Sequence, residues 1–255
     1  MTELAKFGSL RGKRVFVTGG GSGIGESIVT AFAEQGAQVA FVDIVREPSE
    51  ALLEKIKAAG HPAPLFRQCD ITDIPALQKT IADLAADIGD FDVLVNNAAN
   101  DQRHNVEEVT LEYWDNRIAI NQRPMFFTCQ SVIPGMKKKG TGSIINISSI
   151  SFHAKGAGYP VYATSKSAVI GLTRSLARDL GGFGIRMNTV TPGWVMTQRQ
   201  LDLWVDDAAK QEIARMQCLP GMLMPQHISS MVLFLAADDS AMCTAQEFIV
   251  DAGWV

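Results

Sequence analysis

The sequence has no basic tract, and its 255 residues carry a formal net charge of −4. Nucleic acid or an anionic membrane surface is therefore excluded as the main partner. No apolar run approaches the ~20 residues needed to cross a bilayer. The first stretch, Met1 to Gly12, mixes charges and lacks an apolar signal core. These absences predict a soluble cytoplasmic protein. Cysteine is scarce: Cys69, Cys129, Cys218 and Cys243 are scattered without metal-ligand spacing, so no metal site is expected. There is no linker, repeat or low-complexity segment. A chain of this length, 47% hydrophobic and 20% charged, predicts one globular domain.

What is present is an alternation of short apolar runs and helical stretches. Lys13 to Thr18, Gln38 to Val42, Leu65 to Cys69, Phe91 to Val95, Ser143 to Ile147, Ile185 to Val190 and Phe248 to Val250 read as strands. Helices are expected from the glycine-rich segment to about Gln35, with Gly36 as a stop, and from about Glu47 to Ala59. Others follow at Asp73 to Ile88, Leu111 to Gly135, Val161 to Leu180, Asp206 to Met216 and Gln226 to Ala237. Pro124 should kink the helix that contains it or begin a new segment. Such alternation predicts an α/β fold, a single-domain Rossmann-type doubly wound parallel sheet with helices on both faces. In such sheets ligands bind at the carboxyl ends of strands, where Gly19, Asp43, Asp70, Asn97, Ser149 and Pro192 all fall.

The first strand enters Gly19-Gly20-Gly21-Ser22-Gly23-Ile24-Gly25 and then a helix. A glycine-rich turn there lets backbone approach a pyrophosphate, and the helix N-terminus supplies free N–H groups and positive potential. Asp43, 18 residues beyond Gly25, ends the second strand and can accept hydrogen bonds from both hydroxyls of an adenosine ribose; otherwise it caps the strand end. A carboxylate there repels a 2′-phosphate, and Arg46 is the only cation nearby. NAD is the expected cofactor over NADP.

Tyr162 and Lys166 lie four residues apart in a predicted helix, on one face. A fixed ammonium beside a phenol favours the phenolate, so Lys166 is expected to lower the Tyr162 pKa and make it a usable proton donor and acceptor.

Together these features resemble the classical short-chain dehydrogenases/reductases. The resemblance rests on Thr18-Gly19-x3-Gly23-x-Gly25, Asp70-Ile71, Asn96-Asn97-Ala98-Ala99, Asn121, Ser149 thirteen residues before Tyr162, and Pro192-Gly193 with Thr197. It spans roughly Leu10 to the C-terminus. It implies that Tyr162 is the general base for alcohol oxidation, and that Lys166 tunes it and binds the nicotinamide ribose. Ser149 would orient the substrate oxygen, with Ser148 and Ser151 as rivals. Asn121 would hold a water that relays the proton from Lys166 to solvent. The cofactor would lie against Gly19, Ser22, Gly23, Ile24, Gly25, Asp43, Asp70, Ile71, Asn97, Tyr162, Lys166, Pro192, Gly193, Val195 and Thr197. The N-terminal half would bind the cofactor, and the C-terminal half would carry catalysis and substrate binding. Ala99 replaces the family's usual Gly, which sterics tolerate unless φ is positive.

Polar and aromatic residues gather near the predicted site: Asn100-Asp101-Gln102-Arg103-His104, Ser151 and His153 after Ser149, and Trp194 with Gln198-Arg199. Asn100, His104, Ser149, Ser151, His153, Tyr162, Trp194 and Arg199 are the substrate-binding candidates. This lining suits a polyhydroxylated substrate. The run Asn96 to Asp101 with Arg103-His104, Gly135-Met136-Lys137-Lys138, Ser149-Ile150-Ser151-x-His153 and Asp251-Ala252-Gly253-Trp254 resembles bacterial aldose 1-dehydrogenases of the xylose, arabinose and galactose type. That resemblance implies NAD-dependent oxidation of the anomeric hydroxyl of a sugar to a lactone. It also implies a homo-oligomer, a tetramer or dimer. Trp254 would either reach a neighbouring active site or close its own domain edge. Two other readings stand beside this one: a reductase of a 3-oxoacyl thioester or another ketone, and a dinucleotide-sensing protein without turnover.

Overall fold

The computed structural model describes residues 5–255. Residues 1–4, within the stretch read for a signal core, lie outside the described residues. One seven-stranded parallel sheet runs through the molecule. Its strands are β1 (Arg14–Thr18), β2 (Gln38–Asp43), β3 (Leu65–Gln68), β4 (Val93–Asn96), β5 (Gly142–Ile147), β6 (Ile185–Pro192) and β7 (Glu247–Val250). Their order is β3-β2-β1-β4-β5-β6-β7. The helices are α1 (Gly23–Glu34), α2 (Arg46–Ala58), α3 (Ile74–Ile88), α4 (Leu111–Asn121), α5 (Arg123–Lys139), α6 (Pro160–Leu180), α7 (Gln198–Leu203), α8 (Asp207–Met216) and α9 (Pro225–Ala236).

The strands read as continuous apolar runs because both faces of the sheet are covered. Side chains alternate between faces. Val15 and Val17 of β1 join one core with Val39, Phe41, α1, α2 and α9. Phe16 joins the other with Ala40, Val42, Leu94 and residues of α3, α5 and α6. The strand order reverses between β1 and β4, which pair in register from Val15↔Val93 to Thr18↔Asn96. That reversal opens the crevice in which doubly wound folds bind ligands.

The ends of the elements follow local chemistry. Gly36 takes φ 75° just past α1. Asp73 caps α3 by accepting from the Ala76 N–H at 3.0 Å. Pro124 stands in the first turn of α5, where its missing N–H costs nothing, so the expected long helix is two, broken at Gln122 (φ −131°, ψ −55°). The six-residue α7, capped by Thr197, falls within the segment after β6 and was not expected. Ala99 is not among the residues with positive φ, so it replaces Gly without strain. Among the described residues no helix is long and apolar enough to cross a membrane.

Candidate active site

The glycine turn closes against its neighbours through the absence of side chains. Gly19 adopts φ 67°, and a Cβ there would stand 2.8 Å from the Cα of Ala98. A Cβ at Gly25 would collide with the Gly19 carbonyl, so this pair brings α1 hard against the end of β1. Asn97 fixes the same corner: its Nδ2 donates to the carbonyls of Gly19 at 2.8 Å and Thr18 at 3.1 Å. Ser22, at the N-cap of α1, makes no side-chain cap, which leaves first-turn N–H groups to a ligand. Gly23, φ 57°, faces Thr197, so the segment after β6 comes to the same turn. A narrow glycine cradle at an uncapped helix N-terminus fits a dinucleotide pyrophosphate.

Asp43 ends β2 with both oxygens engaged, Oδ2 by the Gly21 N–H at 2.8 Å and Oδ1 by the Val45 N–H at 3.0 Å. It therefore caps the strand end. Each oxygen keeps a lone pair for a further donor, so ribose binding remains chemically open to it. Ile44 and Val45 beside it are exposed. Arg46 is turned to Gln68 and Glu50. Asp70 holds the backbone and hydroxyl of Thr72, and Ile71 packs against the second core. Pro192 and Val195 are buried, and the Gly193 N–H donates to the Val250 carbonyl at 2.9 Å.

The catalytic candidates meet at the end of β5. Tyr162 and Lys166 share a face of α6, with the Lys166 Nζ 5.7 Å from the centre of the Tyr162 ring. That ammonium is 1% exposed and donates to the Ile147 carbonyl at 2.8 Å. Ser148 donates to the Lys166 carbonyl at 2.8 Å and so ties β5 to α6, which removes it as a rival to Ser149. Ser149 accepts from the Ser151 N–H at 3.1 Å and is the polar neighbour that favours the Tyr162 phenolate.

The expected direction of the Tyr162 shift is corrected. Burial pushes the phenol well above the ordinary tyrosine value, the Asp101 carboxylate pushes the same way, and Ser149 opposes them. Lys166 does not offset this because it is itself buried. Burial pulls it down to about 7, against the raising effect of Asp101.

Asn121, fully buried at the end of α4, clamps Asn100 on both sides: its Oδ1 accepts from the Asn100 N–H at 2.7 Å, and its Nδ2 donates to the Asn100 carbonyl at 3.1 Å. One amide N–H and one lone pair remain for a relay water. Other substrate candidates are also held by protein. His104 accepts from the Val161 N–H at Nε2 (3.4 Å), and its Nδ1 meets the Tyr113 hydroxyl at 2.9 Å. His153 pairs with Glu247 of β7 at 2.8 Å. Trp194 donates to Gln200 Oε1 at 2.9 Å, and Arg199 reaches Asp101 at 3.5 Å. Among the predicted substrate residues, Ser151 has a buried hydroxyl without a partner. Trp254 lies 6.4 Å, ring to ring, from Trp194 of its own chain.

Two features escaped the sequence reading. Gln200, on the unexpected α7, contacts both Trp194 and Asp101. A buried polar ladder crosses the sheet: Thr128 donates to Asn96 at 2.6 Å, Asn96 to Asn146 at 2.9 Å, and Asn146 to Thr173 of α6 at 3.0 Å. Its only signal was an Asn at or near the end of two apolar strands.

Known proteins share this architecture. A family model described as enoyl-(acyl carrier protein) reductase matches residues 19–255. D-xylose 1-dehydrogenase of Caulobacter vibrioides is 47% identical over 251 residues, 98% of each chain. A "probable galactose dehydrogenase" of Rhizobium meliloti is 46% identical over 98% of this chain and 97% of its own. A 3-oxoacyl-[acyl-carrier protein] reductase of Brucella melitensis, a solved structure, superposes with a TM-score of 0.92 at 28% identity, covering 100% of this chain and 98% of that one. A reductase of the same description and organism, with bound NAD, gives 0.89 at 27% identity, with the same coverage. The glycine cradle, the Ser149–Tyr162–Lys166 cluster and near-full-length similarity lead to one conclusion: this chain is an oxidoreductase of the short-chain dehydrogenase/reductase family.

Proposed function

We propose that the protein is an NAD-dependent sugar 1-dehydrogenase that oxidises the anomeric hydroxyl of an aldose to its lactone. The observation that carries the substrate class is the similarity, over nearly the whole chain, to a D-xylose 1-dehydrogenase and a probable galactose dehydrogenase. Polar side chains around Ser149 and Tyr162 support a hydroxyl-rich ligand. The cofactor preference rests on Asp43, on the exposed apolar pair Ile44 and Val45, and on Arg46 being tied to Glu50 rather than free to meet a phosphate.

Bound, the oxidised nicotinamide supplies a hydride acceptor and a positive charge. Tyr162 takes the proton of the anomeric hydroxyl as that carbon loses hydride. Only the phenolate can accept that proton, and the raised pKa keeps the phenolate scarce until positive charge arrives near the phenol, so proton transfer is coupled to a loaded site. Ser149 orients the substrate oxygen. Lys166, anchored on Ile147, binds the nicotinamide ribose and passes the proton on. Asn121 fixes the Asn100 backbone and keeps capacity for one relay water. Ser151, with its buried unpartnered hydroxyl, offers a hydrogen bond to a second sugar hydroxyl.

We also infer a cytoplasmic homo-oligomer, a tetramer or dimer. The apolar side chains that α4 and α5 leave exposed, Leu111, Trp114 and Phe126, support assembly.

Initial rates with NAD and NADP against aldoses, polyols, hydroxy acids and 3-oxoacyl thioesters test the reading. The expected result is NAD reduction with D-xylose or D-galactose. Turnover confined to acyl ketones with NADPH would replace the sugar reading with a reductase, and no turnover with any substrate would favour a dinucleotide sensor. Tyr162→Phe should lower kcat by roughly 10²–10⁴-fold, the usual contribution of a positioned general base.

A further inference from the structure

Strands β4 and β6 flank β5, whose end leads to Ser149. The segments that leave those two strands are joined by side chains. Asp101, after β4, accepts from Gln200 Nε2 of α7 at 2.6 Å and from Arg199 Nε at 3.5 Å. Gln200 in turn accepts from the Trp194 indole at 2.9 Å. Arg103 stacks on Trp204 at 4.2 Å and reaches Trp194 at 5.7 Å. The Asp101–Arg199 pair is half-exposed and contributes little. The Gln200 amide is different, because it uses both of its ends, one on each segment.

We propose that Asp101 and Gln200 form a latch that fixes Trp194 and α7 against the loop after β4, and that this latch sets the affinity for the sugar. The proposal rests on the sugar reading above and names positioning residues for it. Trp194 follows Pro192-Gly193 at the carboxyl end of β6, where ligands of such sheets bind. An indole presents a flat apolar surface with one polar edge, which suits the C–H face of a sugar ring. Gln200 holds that polar edge, so the ring keeps one orientation. Without Gln200 the indole must be ordered at the expense of substrate binding.

Asp101 has a second, separable effect, through its charge. It pairs with Arg199 and Gln200 of α7, and from there its field reaches Tyr159, Tyr162 and Lys166 of α6, while Arg103 of its own loop and Glu212 of α8 also act on Tyr159. Its carboxylate favours the protonated forms of Tyr162 and Lys166.

Two substitutions separate these roles. Gln200→Leu removes both hydrogen bonds and leaves the Asp101 charge. It should raise the KM of the sugar at least ~5-fold while the KM of NAD stays within ~2-fold, as ordering costs on one ligand alone require. The pH profile of kcat should not move. Asp101→Asn keeps an acceptor for Gln200 but removes the charge. It should raise the sugar KM less than Gln200→Leu and move the rising limb of kcat to lower pH by about half a pH unit. Asp101→Ala opens the latch from the other side and should repeat the KM effect, which guards against a misfolded Gln200 variant. A wild-type ratio of sugar KM to NAD KM in both Gln200→Leu and Asp101→Ala would overturn the latch. An unmoved profile in Asp101→Asn would overturn the charge effect. If the wild-type enzyme oxidises no aldose, the sugar reading fails first, and the latch is judged by the same KM ratio with the alcohol that is oxidised.

Discussion

Asp43 is committed to the protein before it meets a ligand. Its two oxygens hold the N–H groups of Gly21 and Val45, so the carboxylate sits in a fixed place with one lone pair per oxygen to spare. Fixed negative charge at the end of β2 should exclude a 2′-phosphate. Asp43→Ser should therefore raise the KM of NAD roughly tenfold, the order of a lost charge-assisted hydrogen bond, and narrow the NAD over NADP preference at least as much. Parallel initial-rate curves with the two cofactors check this, and an unchanged preference would assign discrimination elsewhere. The place of Asp43 at the end of β2 was legible in the sequence because a strand end and a glycine turn bracket it within a short span. His104 was not legible in the same way. The groups that occupy its ring nitrogens come from Tyr113 in α4 and Val161 in α6, and no local pattern announces contacts that tertiary packing creates. The Tyr162 shift was misread for a related reason. Spacing gives the approach of Lys166 but not the burial that pulls its own pKa down.

The polar ladder from Thr128 through Asn96 and Asn146 to Thr173 links α5, β4, β5 and α6. Thr189 of β6 adds a further bond to Thr173 at 2.8 Å. Every member is nearly or fully buried, so each bond is made in a low dielectric, and although Thr128 can turn to the Met125 carbonyl at 3.0 Å, loss of Asn96 leaves the Asn146 carbonyl oxygen without that donor. The ladder ends on the helix that carries Tyr162 and Lys166, and it fixes how that helix sits on the sheet. Asn96→Leu would strip a partner from both Thr128 and Asn146. It should lower the unfolding free energy by about 2–4 kcal/mol, measured as a shift in urea midpoint. A loss below ~0.5 kcal/mol, the range of ordinary surface substitutions, would show that water or repacking replaces the bond. At this scale the sequence was most readable where elements are long or doubly covered. Seven apolar runs became seven strands, and Pro124 marked the break between α4 and α5. The six residues of α7 make less than two turns and give no periodicity to read. Yet α7 brings Gln200 to the site.

For the molecule as a whole, Lys166 couples the catalytic centre to folding. Its ammonium is buried and, among the described residues, donates to one carbonyl, that of Ile147, and burial pulls its pKa down to about 7, whereas an unfolded lysine titrates near ~10.4. Below about pH 7 both states hold the proton, and the folded state bears the full cost of a buried charge. Above it the unfolded chain keeps a proton that the folded protein has released, so stability rises with pH until the unfolded lysine also titrates. Tyr162 does not interfere below pH ~9.5, because its folded pKa is raised and both states keep the phenol protonated there. Lys166→Met removes the titration but keeps a long side chain in place. The unfolding free energy of the wild type relative to Lys166→Met should therefore rise by about 2 kcal/mol between pH 7 and pH 9, close to the limiting slope of ~1.4 kcal/mol per pH unit for one proton. Urea unfolding of both proteins at pH 7, 8 and 9, at one protein concentration, measures the difference. A constant offset across that window would mean that Lys166 stays charged in the folded protein, and that the carbonyl of Ile147 and the field of Asp101 together suffice to hold a buried ammonium.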